Sequence, residues 1–406
     1  MITFEEEKNV AKFQEAIKAN KQVAKIKVVG VGGAGGNTVN SMIEAGYEAI
    51  EFMVINTDVQ ALNISKAEQK IQIGIKSTKG LGSGSNPEVG KRAAEEDLDK
   101  IMQELGDADI VFLAAGMGGG TGSGALPVIA RALKEKGILS IAVITKPFAF
   151  EGKRRMQAAQ KAIDNLKKEV DTLIVVPNQK LLDLVDEHVS MVDAFGMVNN
   201  VLNQSVRGIS DIITKAGHIN VDFADLRAIM KDMGMAVLGT GRASGTDRAL
   251  EAALKAIESP LLENMSIKGA KSVLLNITGG PSLCLYEINQ AAMLIYEQAD
   301  EDANIILGSV IDDTLEDEII ITVVATGFEV VGAQPVQEKV EKAVPKESIA
   351  VKPSVKEVQK PSIALHPMHQ PVYSNLLDTN EHEVIDMQSL DVPTFLRIEH
   401  HGKQSE

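Results

Sequence analysis

The stretch DIVFLAAGMGGGTGSGA, residues 109–125, combines a continuous apolar run with a dense run of glycines. An apolar run of this length indicates a buried parallel strand, and the glycines that follow it mark a turn into a helix. Glycine lets several backbone N–H groups converge on one anion, and the helix dipole favours negative charge at that position. Because so many glycines cost chain entropy in a simple turn, we predict a phosphate-binding loop here, with Thr121 and Ser123 as additional hydroxyl donors.

A second glycine loop, VVGVGGAGGN at residues 28–37, also follows an apolar run and precedes a helical pattern. Gly30, Gly32 and Gly35 satisfy G-x-G-x-x-G, and Asp58 stands at the distance expected of a ribose-binding acid in a dinucleotide site. The alternative is a turn whose glycines only let strand and helix pack. We favour phosphate binding, although the pattern alone leaves the nucleotide open.

Two such loops in one domain can hold one polyphosphate from two sides, whereas a dinucleotide dehydrogenase needs one loop per cofactor. Neither loop contains the G-x-x-x-x-G-K-[ST] sequence of P-loop proteins. In the absence of a P-loop lysine, backbone amides and a magnesium ion would neutralise the phosphates.

The remaining pattern predicts an α/β protein with two domains. Short β-rich runs alternate with helical stretches from Lys25 onward, which is typical of a doubly wound parallel sheet. Residues 191–216 show apolar residues at three- and four-residue spacing, so we predict one long, mostly buried helix there that stops at Gly217. Four further β-rich runs with helices at 247–258 and 282–299 predict a smaller α/β domain.

Composition excludes several classes of protein. The formal net charge is −15, whereas nucleic-acid backbones are held by clustered Lys and Arg, so we expect no nucleic-acid binding. The charged N-terminus and the absence of a long uncharged apolar run predict neither export nor a membrane span. The single cysteine, Cys284, lies in the apolar run SLCLYEI and is expected in a core, in a protein of the reducing cytosol.

The composition changes beyond Val331. Residues 332–388 are rich in Pro, Lys, Glu and Gln, a composition that cannot bury enough apolar surface to offset chain entropy. We predict a flexible linker over 332–388 and a partner-recognition peptide over 389–406. We predict a helical N-terminal extension over residues 1–25, for which a solvated cap and a docking surface both remain open.

The stretch AGHINVDFADL, residues 216–226, carries two carboxylates and an amide with no evident target. Asp222 suits a helix N-cap, and Asp225 falls in the first helical turn, where acids satisfy free N–H groups and the dipole. This account explains both acids. It leaves Asn220 and the apolar Ile219 and Val221 unexplained.

Taken in order, seven motifs resemble those of the FtsZ family, the bacterial tubulin homologues of cell division. They cover about residues 26–330 and then 391–397, and they are GVGGAGGN, INTD, GGGTGSG, PFAFEGKRR, DAFGMVNNVL, GHINVDFADL and DVPTFLR. The resemblance implies a tubulin/FtsZ-like fold with a Rossmann-type GTP-binding domain (26–190), a central helix (191–216) and a GTPase-activating domain (217–331).

The resemblance also implies a GTP or GDP site with magnesium. Glu151 and Arg155 match the family's residues at the ribose and neighbouring phosphate; by themselves they would be interpreted as a surface i,i+4 ion pair. Asn200 stands where the family usually carries an Asp that pairs with guanine, and an amide matches that edge less well; Asn199 or Asn178 are candidates to compensate, and Asn200 by itself suits a partly exposed helix turn. The implied nucleotide residues are Gly33, Ala34, Gly35, Gly36, Asn37, Gly119, Gly120, Thr121, Gly122, Glu151, Arg155, Asn178 and Asn200.

By the same resemblance, Asn220, Asp222 and Asp225 would act on the nucleotide of the next subunit, where the acids orient the attacking water and the cation. Such a contact repeats head to tail and gives an open filament, so hydrolysis requires assembly. This implies a cytoplasmic GTPase that polymerises at the mid-cell division site, the Z ring.

The C-terminal motif implies docking on a membrane tether and on other division proteins, without direct membrane insertion. Pro393, Phe395 and Leu396 would be its apolar anchors, flanked by Asp391 and Arg397; without the resemblance, a tail with a few apolar residues would explain it equally well.

Two alternatives remain open. One is an NAD-dependent oxidoreductase, resting on G-x-G-x-x-G and Asp58; the second loop and the lack of an evident catalytic acid or base weigh against it. The other is a nucleotide-binding filament protein without hydrolysis. The intact Asn220, Asp222 and Asp225 weigh against this second alternative, while Asn200 leaves it room.

Overall fold

A computed structural model describes residues 24–47, 49–182, 189–215, 217, 219, 221–259 and 267–328. Within these ranges ten strands form one sheet. The strands are β1 Ile26–Val31, β2 Ile50–Asn56, β3 Gln69–Gln72, β4 Ile110–Gly116, β5 Leu139–Lys146, β6 Thr172–Pro177, β7 Gly234–Ser244, β8 Ser272–Gly279, β9 Asn304–Ile311 and β10 Glu318–Thr326. The helices are α1 Gly32–Glu44, α2 Val59–Ile64, α3 Ile75–Thr78, α4 Pro87–Glu96, α5 Leu98–Leu105, α6 Thr121–Glu135, α7 Lys153–Glu169, α8 Asn178–Leu182, α9 Met191–Thr214, α10 Phe223–Met230, α11 Arg248–Ile257 and α12 Leu285–Gln298, with 3-10 turns at Ala149–Glu151 and Asp313–Leu315.

The first six strands are all parallel and follow the spatial order β3-β2-β1-β4-β5-β6. The order reverses direction at β1, which pairs with β2 on one side and with β4 on the other. In doubly wound sheets, ligands bind outside the carboxyl ends of the strands at this switch point. Both glycine loops leave from there, one at the end of β1 and the other at the end of β4.

The second half adds β7 to β10, with β10 antiparallel between β7 and β8, and β9 parallel to β8. The four strands and the two helices α11 and α12 agree with the predicted smaller domain. The structure adds a link that the sequence did not reveal. Strand β7 pairs with β6 over three residues, from Thr172↔Gly234 to Ile174↔Ala236, so one sheet runs through both halves.

Helix α9 runs between these halves for 24 residues. Its buried residues recur at the predicted spacing, and they pack on the sheet face that also carries α1 and α10. The helix ends at Thr214, three residues before the predicted stop, because Lys215 takes an extended conformation. The opposite face carries α4 to α7 in the first half and α11 with α12 in the second.

An ion-pair cluster joins α9 to the second half of the molecule. Arg207 donates to Asp312 at 2.8 Å, and Lys215 Nζ lies 3.3 Å from the same carboxylate. Burial by itself raises the pKa of Asp312, but hydrogen bonds from Thr314 and the charge of Lys215 outweigh it and lower that pKa to about 2.

The prediction for Cys284 was wrong. The residue is exposed and stands at the N-cap of α12, where its backbone N–H donates to Glu287 Oε2 at 2.9 Å. The apolar run SLCLYEI is a helix start whose Leu285 and Tyr286 face solvent, 76% and 68% exposed. An apolar run alone does not distinguish a buried strand from a helix that begins at the surface.

No helix in the described ranges combines the length and apolar character that crossing a bilayer requires. Residues 1–23 of the predicted N-terminal extension, the predicted linker and the predicted C-terminal peptide lie outside the described residues.

Candidate functional site

The two glycine loops touch each other and form one crevice. A Cβ atom placed on Gly32 would lie 3.0 Å from the backbone nitrogen of Gly122. A Cβ on Gly122 would lie 3.3 Å from the carbonyl oxygen of Val31. The two motifs predicted separately therefore serve a single site at the switch point of the sheet.

Within the first loop, some glycines pack and others face the crevice. A Cβ on Gly35 would sit 2.3 Å from the carbonyl oxygen of Ala114, and one on Gly30 would sit 2.3 Å from that of Gly35. A Cβ on Gly33, by contrast, would meet no other group within 4 Å. Ala34 and Asn37 are also exposed, while Gly36 is buried. The packing and phosphate-binding interpretations thus apply to different glycines of one motif.

The helices that open from the two loops begin without side-chain caps. Val31 occupies the N-cap position of α1 and Gly120 that of α6, and neither residue provides a side-chain acceptor for the first-turn N–H groups. Other helices of the chain are capped by a side chain, α4 by Asn86 and α9 by Ser190. Two uncapped helix N-termini at one crevice leave N–H groups and two positive dipole ends available to an anion.

The hydroxyl groups of the second loop are engaged within the protein. Thr121 Oγ1 lies 2.7 Å from Thr57 Oγ1 and 3.0 Å from Ser83 Oγ, and Ser123 Oγ accepts a hydrogen bond from the Gly118 N–H at 2.9 Å. Ser123 is also buried. These hydroxyls therefore shape the loop, which differs from the predicted role as free donors and leaves the backbone N–H groups as the principal donors.

A third glycine-rich segment, GLGSGSN at residues 80–86, adjoins the second loop and was missed from the sequence. A Cβ on Gly120 would meet Ser83 Oγ at 2.2 Å, so the two segments are in direct contact. Gly80, Gly82 and Gly84 all adopt positive φ, which glycine permits at little cost. The signal was the run itself: alternating Gly and Ser directly ahead of the Asn86-Pro87 helix start.

Glu151 and Arg155 form the predicted ion pair, Arg155 Nη1 to Glu151 Oε2, at 3.0 Å. Glu151 also accepts from the Phe148 N–H at 2.8 Å, which fixes the 3-10 turn after β5. The stem of Arg155 lies against the second glycine loop, since a Cβ on Gly118 would meet Arg155 Cγ at 2.7 Å. The pair is therefore a surface ion pair and also a neighbour of the crevice.

Asn178 and Asn200 differ in environment. Asn178 follows β6 and is buried, and its side-chain oxygen has no hydrogen-bond partner. Buried acceptors are normally satisfied, so this atom fits a ligand group that the protein does not itself supply. Asn200 is exposed on α9, and its neighbour Asn199 accepts from the Thr38 hydroxyl at 3.2 Å.

Asp58 caps α2 and accepts from the Gln60 N–H at 2.8 Å. The carboxylate that carried the dinucleotide hypothesis thus has a structural role, which weighs further against an oxidoreductase.

Asp222 is the N-cap of α10 and accepts from the Asp225 N–H at 2.8 Å, as the helix-cap account predicts. The apolar residues of this loop are now explained as packing. Val221 is buried, and Ile219 bridges to Ser309 of β9 by backbone and side-chain hydrogen bonds. Asn220 lies outside the described residues.

The acidic loop and the glycine crevice lie at opposite ends of the first half. Arg227 of α10 donates to the carbonyl oxygen of Gly137 at 2.9 Å, and the Thr172 hydroxyl donates to Met230 O. Gly137 and Thr172 stand at the amino ends of β5 and β6, whereas the crevice lies beyond the carboxyl ends. The eight-residue strand β5 spans roughly 26 Å. Within one chain, therefore, Asp222 and Asp225 cannot reach an anion in the crevice.

Comparison with known proteins identifies the family to which this architecture belongs. The model of the Tubulin/FtsZ family GTPase domain matches residues 25–186, and that of the FtsZ family C-terminal domain matches residues 234–329. An FtsZ from M. jannaschii, solved as an empty dimer, is 41% identical over 78% of this chain and 92% of that one, with a TM-score of 0.73. The chain belongs to the FtsZ family.

A point mutant of M. jannaschii FtsZ gives the same identity, covering 78% of this chain and 96% of that one, with a TM-score of 0.72. CetZ1 from Haloferax volcanii, a GDP-bound monomer, shares the fold at 24% identity over 76% of this chain and 95% of that one, with a TM-score of 0.66. The predicted tubulin/FtsZ fold class is confirmed. Because both glycine loops lie inside the matched GTPase domain, membership of the FtsZ family implies that this chain binds GTP or GDP and hydrolyses GTP.

Proposed function

We propose that the chain is an assembly-dependent GTPase whose active site is completed by the acidic loop of the next subunit in a head-to-tail filament. One observation carries this proposal. The crevice with two uncapped helix N-termini and the loop with Asp222 and Asp225 lie at opposite ends of the same chain. Only a second copy can bring the carboxylates to the phosphates.

In this proposal the crevice binds the nucleotide through its phosphates. Backbone N–H groups at the starts of α1 and α6 hold the oxygens, and the two helix dipoles offset their charge. Gly33, Ala34 and Asn37, which are exposed, would contact the phosphates, and the buried Gly35 and Gly36 would hold the loop's shape beside them. Gly119, Gly120, Thr121 and Gly122 supply the second side.

Recognition of the base and ribose would fall to the residues beside the crevice. The unpartnered Asn178 oxygen is an acceptor suited to N–H groups of a purine. Asn200 supplies one amide oxygen where the family usually supplies a carboxylate, which predicts weaker discrimination for guanine. Glu151 and Arg155 would bind near the ribose and the adjoining phosphate.

Hydrolysis would proceed by positioning and charge stabilisation, with little covalent chemistry by the protein. The neighbour's Asp222 and Asp225 would orient the attacking water, and Asn220 would help to position it. Magnesium, coordinated mainly by the phosphates, would offset charge that develops in phosphoryl transfer. Loss of the γ-phosphate would remove contacts across the interface and favour disassembly.

Two similar proteins support self-association. M. jannaschii FtsZ was solved as a dimer, and CetZ2 from Haloferax volcanii was solved as a GTPγS-bound protofilament. CetZ2 is 22% identical to this chain, with a TM-score of 0.65 and coverage of 74% of this chain and 92% of that one. We propose that the filament forms the Z ring at mid-cell in the cytoplasm. The peptide with Asp391, Pro393, Phe395, Leu396 and Arg397 would attach it to a membrane tether and to other division proteins through the linker over 332–388.

The deciding experiment measures phosphate release from GTP with magnesium over a series of protein concentrations. We expect the rate per chain to appear only above a critical concentration and to be lost in Asp225→Ala. Asp222→Ser is the sharper variant, because serine retains the N-cap hydrogen bond but removes the carboxylate. It should fold normally and lose hydrolysis.

A rate per chain that does not depend on concentration, or a fully active Asp222→Ser, would show that the loop is a helix cap alone. GTP-dependent filaments without phosphate release in the wild type would instead support the filament protein that lacks hydrolysis. Repeating the series with ATP tests base selectivity at Asn178 and Asn200.

A further inference from the structure

A groove of about 480 Å³ lies on the sheet face opposite to α1 and α9, between α4, α6 and α7. Its floor is made of small or apolar residues: Gly124, Pro127, Val128, Ala158 and Ala162. The groove is separate from the nucleotide crevice, because none of the glycines at the start of α1, nor Gly120 or Gly122 at the start of α6, lines it. Gly124 of α6 instead packs against α4, where a Cβ would meet the Pro87 carbonyl oxygen at 2.0 Å. An apolar floor of this size accommodates a few side chains of a peptide.

The rim of the groove is predominantly cationic. Four cations, Lys91, Arg131, Lys161 and Lys168, face two acids, Glu88 and Glu169. Arg131 is paired with Glu169 at 2.7 Å, and Lys91 lies 3.8 Å from Glu95 on its own helix. Lys161 and Lys168 are exposed, and no ion pair or hydrogen bond among the described residues engages them. In a chain of net charge −15, this concentration of positive charge favours an acidic occupant.

The chain itself contains a segment of matching chemistry. Residues 378–391, DTNEHEVIDMQSLD, carry acids interleaved with apolar side chains, and no Lys or Arg occurs between Lys360 and Arg397. The acids are Asp378, Glu381, Glu383, Asp386 and Asp391, and the apolar residues are Val384, Ile385, Met387 and Leu390. Acidic side chains suit the cationic rim, and apolar ones suit the floor.

The point where the chain leaves the described structure is close to the groove. Strand β10 ends at Thr326, which is level with Ile174 of β6 and two strands away from it, a distance of about 10 Å; β6 itself starts two residues earlier, at Thr172. Glu169, at the groove, precedes Thr172 by three residues. Phe328 packs in the core under α11 and α12, on the same sheet face as α7. The roughly 50 residues that follow reach about 40 Å if flexible, so the segment can return to the groove.

We propose that the acidic segment 378–391 docks in the groove between α4, α6 and α7 of its own chain. Attachment through the linker gives the segment an effective concentration near the millimolar range, so a weak contact is sufficient to populate the docked state. The docked segment adjoins the C-terminal peptide 391–397, and it therefore holds that peptide against the body of the chain.

The test replaces Asn165, an exposed groove residue, with the photo-crosslinking amino acid p-benzoylphenylalanine in the full-length chain with GDP and below the assembly concentration. Benzophenone reacts well with methionine, and Met387 lies inside the segment. Gln160, exposed on the same helix but outside the groove, is the matched control position. A mixture of unlabelled and nitrogen-15-labelled chains distinguishes crosslinks within a chain from crosslinks between chains.

We expect mass spectrometry to find crosslinks from position 165 to residues 378–391 within one chain, and few from position 160. The double variant Lys161→Glu, Lys168→Glu should lower the yield about fourfold, because each of the two exposed pairs contributes a factor of about two. Lys161→Arg should retain it. Raising the salt from about 0.05 M to about 0.5 M should also lower it.

Crosslinks that join differently labelled chains would overturn the proposal and assign the groove to a contact between copies. Equal yields from positions 165 and 160, or no crosslink to 378–391, would also overturn it. None of these crosslinking measurements depends on GTP hydrolysis. A negative result would therefore not count against the proposed GTPase activity.

Discussion

Two glycines in the first turn of α1, Gly33 and Gly35, have opposite surroundings. Gly35 leaves no space for a Cβ against the Ala114 carbonyl, whereas a Cβ on Gly33 would meet no other group within 4 Å. We expect Gly35→Ala to lower the free energy of unfolding by about 2 kcal/mol through overpacking. Gly33→Ala should leave stability unchanged or raise it, since alanine favours a helix by up to about 1 kcal/mol.

Urea unfolding of both variants checks this prediction, and nucleotide binding separates their effects further. Gly33→Ala places a methyl group in the crevice, so it should weaken GTP binding in a protein of normal stability. Equal loss of stability in the two variants would contradict the assigned contacts.

Asp312 links stability to pH. Its pKa is lowered to about 2 in the folded protein, below the value of about 3.9 in an unfolded chain. A lowered folded-state pKa contributes stability above the unfolded pKa, and this contribution is lost as the pH falls from about 4 toward 2. Asp312→Asn should therefore lower the free energy of unfolding by about 2 kcal/mol at pH 7, with a difference that shrinks below pH 4.

Urea titrations at several pH values measure this difference. Asp313→Asn is the matched control, because its side chain is exposed next to Asp312. A difference between wild type and Asp312→Asn that stays constant down to pH 2 would show that the ion-pair cluster is not its source.

For individual residues, the sequence predicted that the two glycine loops serve one site and that Asp222 and Asp225 lie far from it. It did not separate the packed Gly35 from the open Gly33, because both lie in one glycine-rich run and only the approach of Ala114 distinguishes them. It also could not show that the Thr121 and Ser123 hydroxyls are already engaged, since their partners Thr57, Ser83 and Gly118 lie mostly on other segments.

Among the elements, helix α11 is anchored through one buried arginine. Arg248 is only 4% exposed; it donates to both oxygens of Glu287, to Ser282 and to Asp317. It thereby joins α11, the loop before α12 and the turn before β10. Removing one partner of a buried charge pair leaves the other uncompensated, so Arg248→Ala should cost about 3–5 kcal/mol.

Arg242→Ala is the control for this prediction. Arg242 forms an ion pair with Glu318 at the surface of the same half, and exposed pairs contribute little. Hydrogen exchange should show faster opening of residues 280–287 in Arg248→Ala and an unchanged pattern in Arg242→Ala. Similar exchange in both variants would rule out the anchoring role.

Most elements could be predicted because β4 and β5 are continuous apolar runs and α9 has a strong helical periodicity. Strand β3, QKIQ, was missed because an edge strand of four residues has too few buried side chains to show a pattern. The pairing of β6 with β7 was also missed, since three paired residues at the amino ends leave no mark on either sequence.

For the whole molecule, a site shared between subunits predicts complementation. Asp225→Ala retains the crevice, while Gly33→Trp blocks the crevice but retains the acids. Each variant alone should be inactive. An equimolar mixture that assembles at random pairs an intact crevice with an intact acidic loop at about a quarter of its interfaces, so we expect about a quarter of the wild-type rate of phosphate release.

The experiment measures phosphate release from the mixture and from each variant alone, at the same total protein concentration. Nucleotide and magnesium are saturating throughout. No recovery in a mixture that sediments as copolymer would contradict a site formed in trans.

The distance between the acidic loop and the glycine crevice also bears on how such sequences diverge. If the two ends meet only across copies, a substitution at one end is compensated at the other, although the positions are a strand length apart in each chain. Homologues should then show correlated changes between residues 217–225 and the glycine loops. A contact map inferred from such correlations would place these positions in contact within one molecule. Those contacts would be wrong for the monomer, because they belong to the interface between subunits of the filament.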